Sequence, residues 1–260
     1  MPAIISARGK ASPLTISQWR ALQESVSGPT NHLSLLEQAE LDISHAWISL
    51  ATPEQINKKL PLLGVPFAVK DNTAVAGFHT TAAYPSFSTE PANTDSTVVA
   101  RLKSYGDIVI GKTNLDKFAT GLVATRSPYG AWRESSGSGV AVGQGLVPFA
   151  LGTDTAGSGR VPAGFNNVIE LKPTRGALST HGVVPACRSL DCVPIFSLTL
   201  EDAELLLQLA KGYDPQDAYS RSRLDYITNK ISRGTPLSKQ VMAVRSHPKW
   251  FGQSQHADAY

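Results

Sequence analysis

The sequence predicts an α/β fold. Three observations carry that expectation. Short apolar, β-branched runs such as GVPFAV and DIVI alternate with helix-type segments. Glycine-rich turns close several of those runs. No repeat of fixed period interrupts the alternation. The chain of 260 residues is long enough for a substantial core within one domain.

Taken in order, residues 15–49 read as helical, because LTISQWRALQ and HLSLLEQAELDI carry apolar residues three and four apart. TPEQINKKLP, at 52–61, reads as a loop. LLGVPFAVKD follows as a short strand or extended piece that ends in charge. DSTVVARLKSYG, at 95–106, reads as a helix with an Asp or Ser cap and a terminal Gly. DIVIGKTN is a strand and turn, and LDKFATGL, at 115–122, a helical piece. SGVAVGQGLVPFALGTD offers a helix of small residues and then an apolar run. EDAELLLQLAKGYD, at 201–214, is a helix opened by acidic residues and closed by Lys and Gly. Residues 1–236 are expected to hold the folded domain. Residues 237–260, with weak periodicity, read as a divergent tail that is surface-docked or disordered.

Composition narrows the function. Apolar residues make up 42% of the chain and charged residues 17%, which excludes a largely disordered protein. The net charge is +3, and the basic residues are scattered, so no nucleic-acid footprint is expected. No run of 18 apolar residues and no leading apolar stretch are present, so a cytoplasmic, non-membrane protein is expected. Cys187 and Cys192, in CRSLDC, read as reduced thiols and match no zinc spacing.

Three segments carry chemistry. Lys70 ends an apolar strand, where desolvation lowers a lysine pKa and makes a base of it. The alternative is a strand-end lysine facing solvent. WRESSGSGVAVG, at 132–143, presents hydroxyls in a flexible setting, and reads equally as a surface loop or helix cap. GTDTAGSGRVPAG, at 152–164, can aim several backbone N–H groups at one point, forming an anion nest. Its spacing fits neither the phosphate loop, nor the dinucleotide fingerprint, nor the GxSxG elbow. A packing turn is the alternative. Together the segments suggest a Ser–Ser–Lys relay. A serine hydroxyl needs a base to become a nucleophile, a neutral lysine supplies one through a second hydroxyl, and the oxyanion needs converging N–H donors.

At this point the chain resembles the amidase signature family. GVPFAVKD at 64–71, GKTNLDKFATG at 111–121, SSGSGVAV at 135–142 and GTDTAGSGRVPAG carry the likeness, in that order. RSPYG at 126–130, Ala156 before Gly157, and LKPTRG at 171–176 are similar to its allophanate-hydrolase branch. The resemblance implies a mixed sheet flanked by helices, α/β/α, incomplete on its C-terminal side. It implies Lys70 as general base and Ser158 as nucleophile. It further implies N–H groups of Thr155, Ala156, Gly157 and Ser158 as the oxyanion hole, with Asp154 and Arg160 bracing the loop. Arg126 and Tyr129 are candidates for contact with an anionic substrate. The expected partner is a small amide, no cofactor is expected, and a homodimer is compatible with the family. Aligning the serine run places Glu134 at the bridging position, with Ser135 the nearest hydroxyl. A carboxylate there would keep Lys70 charged. Amidase activity is therefore expected to be reduced unless Ser135 reaches the bridging position.

Overall fold

The computed structural model describes residues 13–25, 29–57, 64–122, 124–130 and 136–222. The expected tail at 237–260, and its boundary, lie outside the described residues. In chain order the elements are α1 (Ile16–Ser25), α2 (Pro29–Glu40), β1 (Trp47–Leu50), α3 (Pro53–Asn57), β2 (Pro66–Lys70), α4 (Thr97–Ser104) and β3 (Ile108–Thr113). There follow α5 (Gly137–Gly143), β4 (Phe149–Leu151), α6 (Arg160–Asn166), β5 (Ile169–Leu171), β6 (Ile195–Ser197) and α7 (Leu200–Ala210).

The strands form one mixed sheet in the order β1-β3-β2-β4-β6-β5. The expected mixed sheet flanked by helices is therefore present. β2 runs parallel to both β3 and β4, whereas β1, β6 and β5 join antiparallel. β2 is buried at every position, as a central strand covered on both faces requires. Phe67 of β2 lies opposite Phe149 of β4, and their rings stack 4.9 Å apart.

Local chemistry explains the elements. α3 begins with a reciprocal capping box. Gln55 N donates to Thr52 Oγ1, Thr52 N donates to Gln55 Oε1, and Pro53 occupies the first helical position. The expected loop at 52–61 thus contains a helix, and the T-P-E-Q signal for it stands in the sequence. α7 is capped by Thr199, whose hydroxyl accepts from Asp202 N. α5 consists of small residues because it packs backbone-close on α6. A Cβ at Gly143 would lie 2.9 Å from Asn166 O.

Two further expectations are corrected. The helical reading of 15–49 runs too far. α2 stops at Glu40, and 47–50 is the edge strand β1. The Asp42 carboxylate accepts from Ser44 N, Ser44 Oγ and Ala46 N, which turns the chain out of the helix. Leu41 and Ile43, which extended the apolar period, are exposed. LDKFATGL is also not a regular helix. It holds one 3-10 turn, Lys117–Ala119, with Phe118 at φ 52° and Ala119 at φ 55°. Phe118 N is drawn away to Ala82 O. Among the described residues no helix is long and apolar enough to cross a membrane.

A buried ion pair ties β3 to the turn after β2. Lys112 Nζ lies 3.2 Å from Asp71 Oδ1, both side chains fully buried. Lys112 also donates to His79 O, and Asp71 accepts from Thr81 N and Thr81 Oγ1. Replacing Lys112 with Met keeps the volume but leaves a buried carboxylate without its cation. The expected loss is about 3–5 kcal/mol, read from urea unfolding of the two proteins.

Candidate active site

Topology brings two strand ends together. β2 and β4 are parallel neighbours in the register Val69 opposite Leu151, so Lys70 and the 152–159 turn emerge at the same sheet edge. In α/β sheets, ligand sites form beyond such carboxyl ends. Lys70 is buried, and its Nζ donates to Thr153 O at 3.2 Å. Burial pushes its pKa down to about 8, against the opposing pull of Asp154, Asp116 and Asp191. Asn72 Nδ2 spans from Thr153 Oγ1 to Val184 O and fixes the same backbone.

Asp154 organises the turn. Its carboxylate accepts from Gly157 N at 2.9 Å, Gly159 N at 3.0 Å and Arg160 N at 3.1 Å. The Arg160 guanidinium donates twice, and Lys172 Nζ donates at 2.9 Å. Despite burial, these donors hold the carboxyl well below the usual carboxylate range. Gly157 adopts φ +132°, and an added Cβ there meets nothing closer than 3.7 Å. Glycine is required by the backbone conformation and not by lack of space.

Ser158, nearly buried, donates its hydroxyl to Gly121 O at 3.1 Å. Among the described residues, no backbone acceptor takes the N–H groups of Thr155, Ala156 or Ser158. Gly157 N–H, the other expected oxyanion donor, is engaged by Asp154. The Thr155 hydroxyl donates to Asp191, whose carboxylate also accepts from Ala186 N and Cys187 N.

The bridging candidate Ser135, and Glu134 beside it, lie outside the described residues. Of the same serine run, Ser138 Oγ is within 2.7 Å of Thr113 Oγ1 and 3.0 Å of Leu151 O. Ser136 Oγ is buried without a hydrogen-bond partner among the described residues. Arg126 is mostly exposed. Its Nη2 donates to Thr120 O, and Nε stands 3.8 Å from Asp116. Tyr129 is half-buried in the same loop, its N–H donating to Ser127 Oγ. Cys187 and Cys192 are free thiols, and burial pushes the Cys192 thiol up.

Several residues of the site escape a reading of the sequence. Asp116 accepts from Ala124 N and Arg126 N and shapes the loop that offers Gly121 O to Ser158. Asp191 is hidden between two cysteines that are the more conspicuous residues of CRSLDC. Lys172 stands in LKPTRG, a stretch that carries family likeness and no chemistry of its own.

Replacing Asp154 with Asn removes the charge that Arg160 and Lys172 share. Because Asp154 is buried but Arg160 is half exposed, the expected loss is about 2–4 kcal/mol. A carboxyl depressed from its ordinary 3.8 stabilises the fold above that value, and the contribution disappears as pH falls further through the folded-state value. Thermal unfolding from pH 7 down to 2 should therefore show the gap between the two proteins narrowing below about pH 4.

The family model described as Amidase matches residues 31–251. Urea amidolyase of Saccharomyces cerevisiae is 46% identical over 271 residues, covering 93% of this chain and 14% of that protein. A glutamyl-tRNA(Gln) amidotransferase subunit from Thermus thermophilus is 38% identical over 227 residues, covering 82% of this chain and 46% of that protein. The solved allophanate hydrolase of Kluyveromyces lactis superposes with a TM-score of 0.73 at 46% identity, covering 80% of this chain and 39% of that one. The chain thus spans less than half the length of each of these relatives. A family match over most of its length, together with relatives of up to 46% identity, means that the chain belongs to the amidase family, hydrolases of carbon–nitrogen bonds other than peptide bonds.

Proposed function

We propose that the chain carries an amidase centre acting on a small amide, with allophanate as the substrate. The observation that carries this reading is Lys70, buried at the strand end, its pKa lowered to about 8 by desolvation, and bonded to Thr153 O where the turn that holds Ser158 begins. A lysine with a pKa of about 8 supplies a usable fraction of free base at neutral pH. Identity of 46% to a urea amidolyase and to an allophanate hydrolase supports the choice of substrate.

In the proposed reaction, Ser158 Oγ attacks the terminal carbonyl carbon, and its proton passes through the Ser135 hydroxyl to Lys70 Nζ. The N–H groups of Thr155, Ala156 and Ser158 receive the oxyanion. The C–N bond breaks as the proton returns from Lys70 to the leaving nitrogen, which departs as ammonia. Water then enters by the same proton route in reverse and frees the acid, a dicarboxylated amine that loses carbon dioxide. These steps use protein groups alone. Arg126 and Tyr129, in the loop beside Ser158, are the proposed contacts for the substrate carboxylate. The proposed setting is the cytoplasm.

A second reading is a catalytically inactive relative that binds a small amide or a protein partner. The alignment of Glu134 with the bridging serine favours it. The two readings separate experimentally. An active centre releases ammonia from allophanate and is labelled by a fluorophosphonate, with Ser158→Ala abolishing both. Lys70→Ala and Ser135→Ala should each slow labelling by about 10²–10⁴. Substrate binding by calorimetry without ammonia or labelling identifies the inactive relative. Ammonia release that survives Ser135→Ala unchanged removes the relay.

The pH dependence has a definite sign. Lys70 must be neutral to act, so the labelling rate should rise about tenfold per pH unit below about 8 and level off above it. A profile flat from pH 6 to 9 would exclude Lys70 as the base.

A further inference from the structure

Behind the nucleophile turn stands a carboxyl that the reaction above does not use. Glu170, in the middle of the edge strand β5, presses on Gly159. A Cβ at 159 would lie 2.5 Å from Glu170 Oε1. Both Glu170 carboxyl oxygens are buried, and neither has a hydrogen-bond partner among the described residues. Two cations are close enough to act on it, Arg160 at the start of α6 and Lys172 just past β5. Both donate to Asp154 instead. Two carboxyls thus share two cations, and all the direct bonds go to one of them.

We propose that Glu170 is a positioning residue for the Ser158 turn, setting how firmly Asp154 holds it through competition for Arg160 and Lys172. The inference builds on the reading of Ser158 as nucleophile only for its consequence, not for its geometry. When Glu170 is neutral, Asp154 keeps both cations and its grip on Gly157, Gly159 and Arg160 N–H. When Glu170 ionises, it repels Asp154 and draws Arg160 and Lys172 toward itself, and the turn loosens. Burial, with Asp154 adding to it, pushes Glu170 up to about 7 against the pull of Arg160 and Lys172. The change therefore falls near neutral pH. The other charged or titratable groups on elements around β5 are Cys192, just before β6, and Glu201, Asp202 and Glu204 on α7. Because the folded state keeps this proton longer than the ordinary value of 4.5, stability declines from about pH 4.5 to 7 and is level above.

Backbone amide exchange of Gly157, Gly159 and Arg160 reads the grip without requiring catalysis. After correction for intrinsic exchange, protection of these amides in the wild type should fall about fivefold between pH 6 and 8. In Glu170→Gln it should stay level. Equal pH dependence in both proteins, or none in the wild type, overturns the proposal. If Glu170→Gln does not fold, carboxyl-carbon NMR of the wild type decides. The Glu170 carboxyl and the Gly159 amide must titrate together between pH 6 and 8, and a Glu170 that does not titrate there overturns it. Fluorophosphonate labelling, run in parallel, separates the two readings. No labelling of the wild type removes Ser158 as nucleophile, while the exchange contrast still decides the role of Glu170.

Discussion

The Asp154 carboxylate is the constraint on which the candidate site depends. Three backbone N–H groups, one guanidinium and one ammonium converge on it. Gly157 sits at φ +132°, a conformation glycine adopts without steric cost, and among the described residues no backbone acceptor takes the N–H groups of Thr155, Ala156 or Ser158. Charge-assisted hydrogen bonds from Gly157 N, Gly159 N, Arg160 and Lys172 to this buried anion hold the turn in that shape. They also fix Ser158 relative to α6, because the same carboxylate holds Gly159 and Arg160 on either side of the helix start.

The second constraint is electrostatic. Lys70 is surrounded by low-dielectric strand packing but feels three carboxylates, Asp154, Asp116 and Asp191. Desolvation outweighs them. None of the three forms a direct hydrogen bond to Lys70 Nζ, since each is engaged elsewhere: Asp154 with the turn, Asp116 with Ala124 and Arg126, Asp191 with Thr155 and the 186–187 backbone. An ion pair would have kept the lysine charged. Burial lowers the Lys112 pKa as well, against the pull of Asp71; Lys112 differs in having that carboxylate as a direct partner, and the pair ties β3 to the turn after β2.

Much of the fold was legible where the period was strong and local chemistry agreed with it. β2, β3, α4, α5 and α7 fall where the apolar pattern put them. β1 did not, because the signal that ended α2 was the side chain of Asp42, which an apolar count ignores. The three-residue strands β5 and β6 are too short for a period of two to show, and they exist because each pairs with a neighbour. In the site, the Gly-rich turn and Lys70 were legible, since glycine and a charge on an apolar run are unusual in themselves. Asp116, Asp191 and Glu170 were not, because nothing about an isolated acidic residue tells which backbone it faces.

The sequence by itself determined the alternation of strands and helices, the Gly-rich turn at 152–164, and the candidates Lys70 and Ser158. Family membership was legible too, since the motifs carrying it are continuous stretches of chain. Only the tertiary structure decided that Lys70 is buried with its pKa lowered to about 8, that Asp154 holds the Ser158 turn, and that Glu170 stands against Gly159 without a hydrogen-bond partner among the described residues. Desolvation and hydrogen bonding depend on distances between segments far apart in the chain. Those distances arise only when β2, β4 and β5 take their places in one sheet.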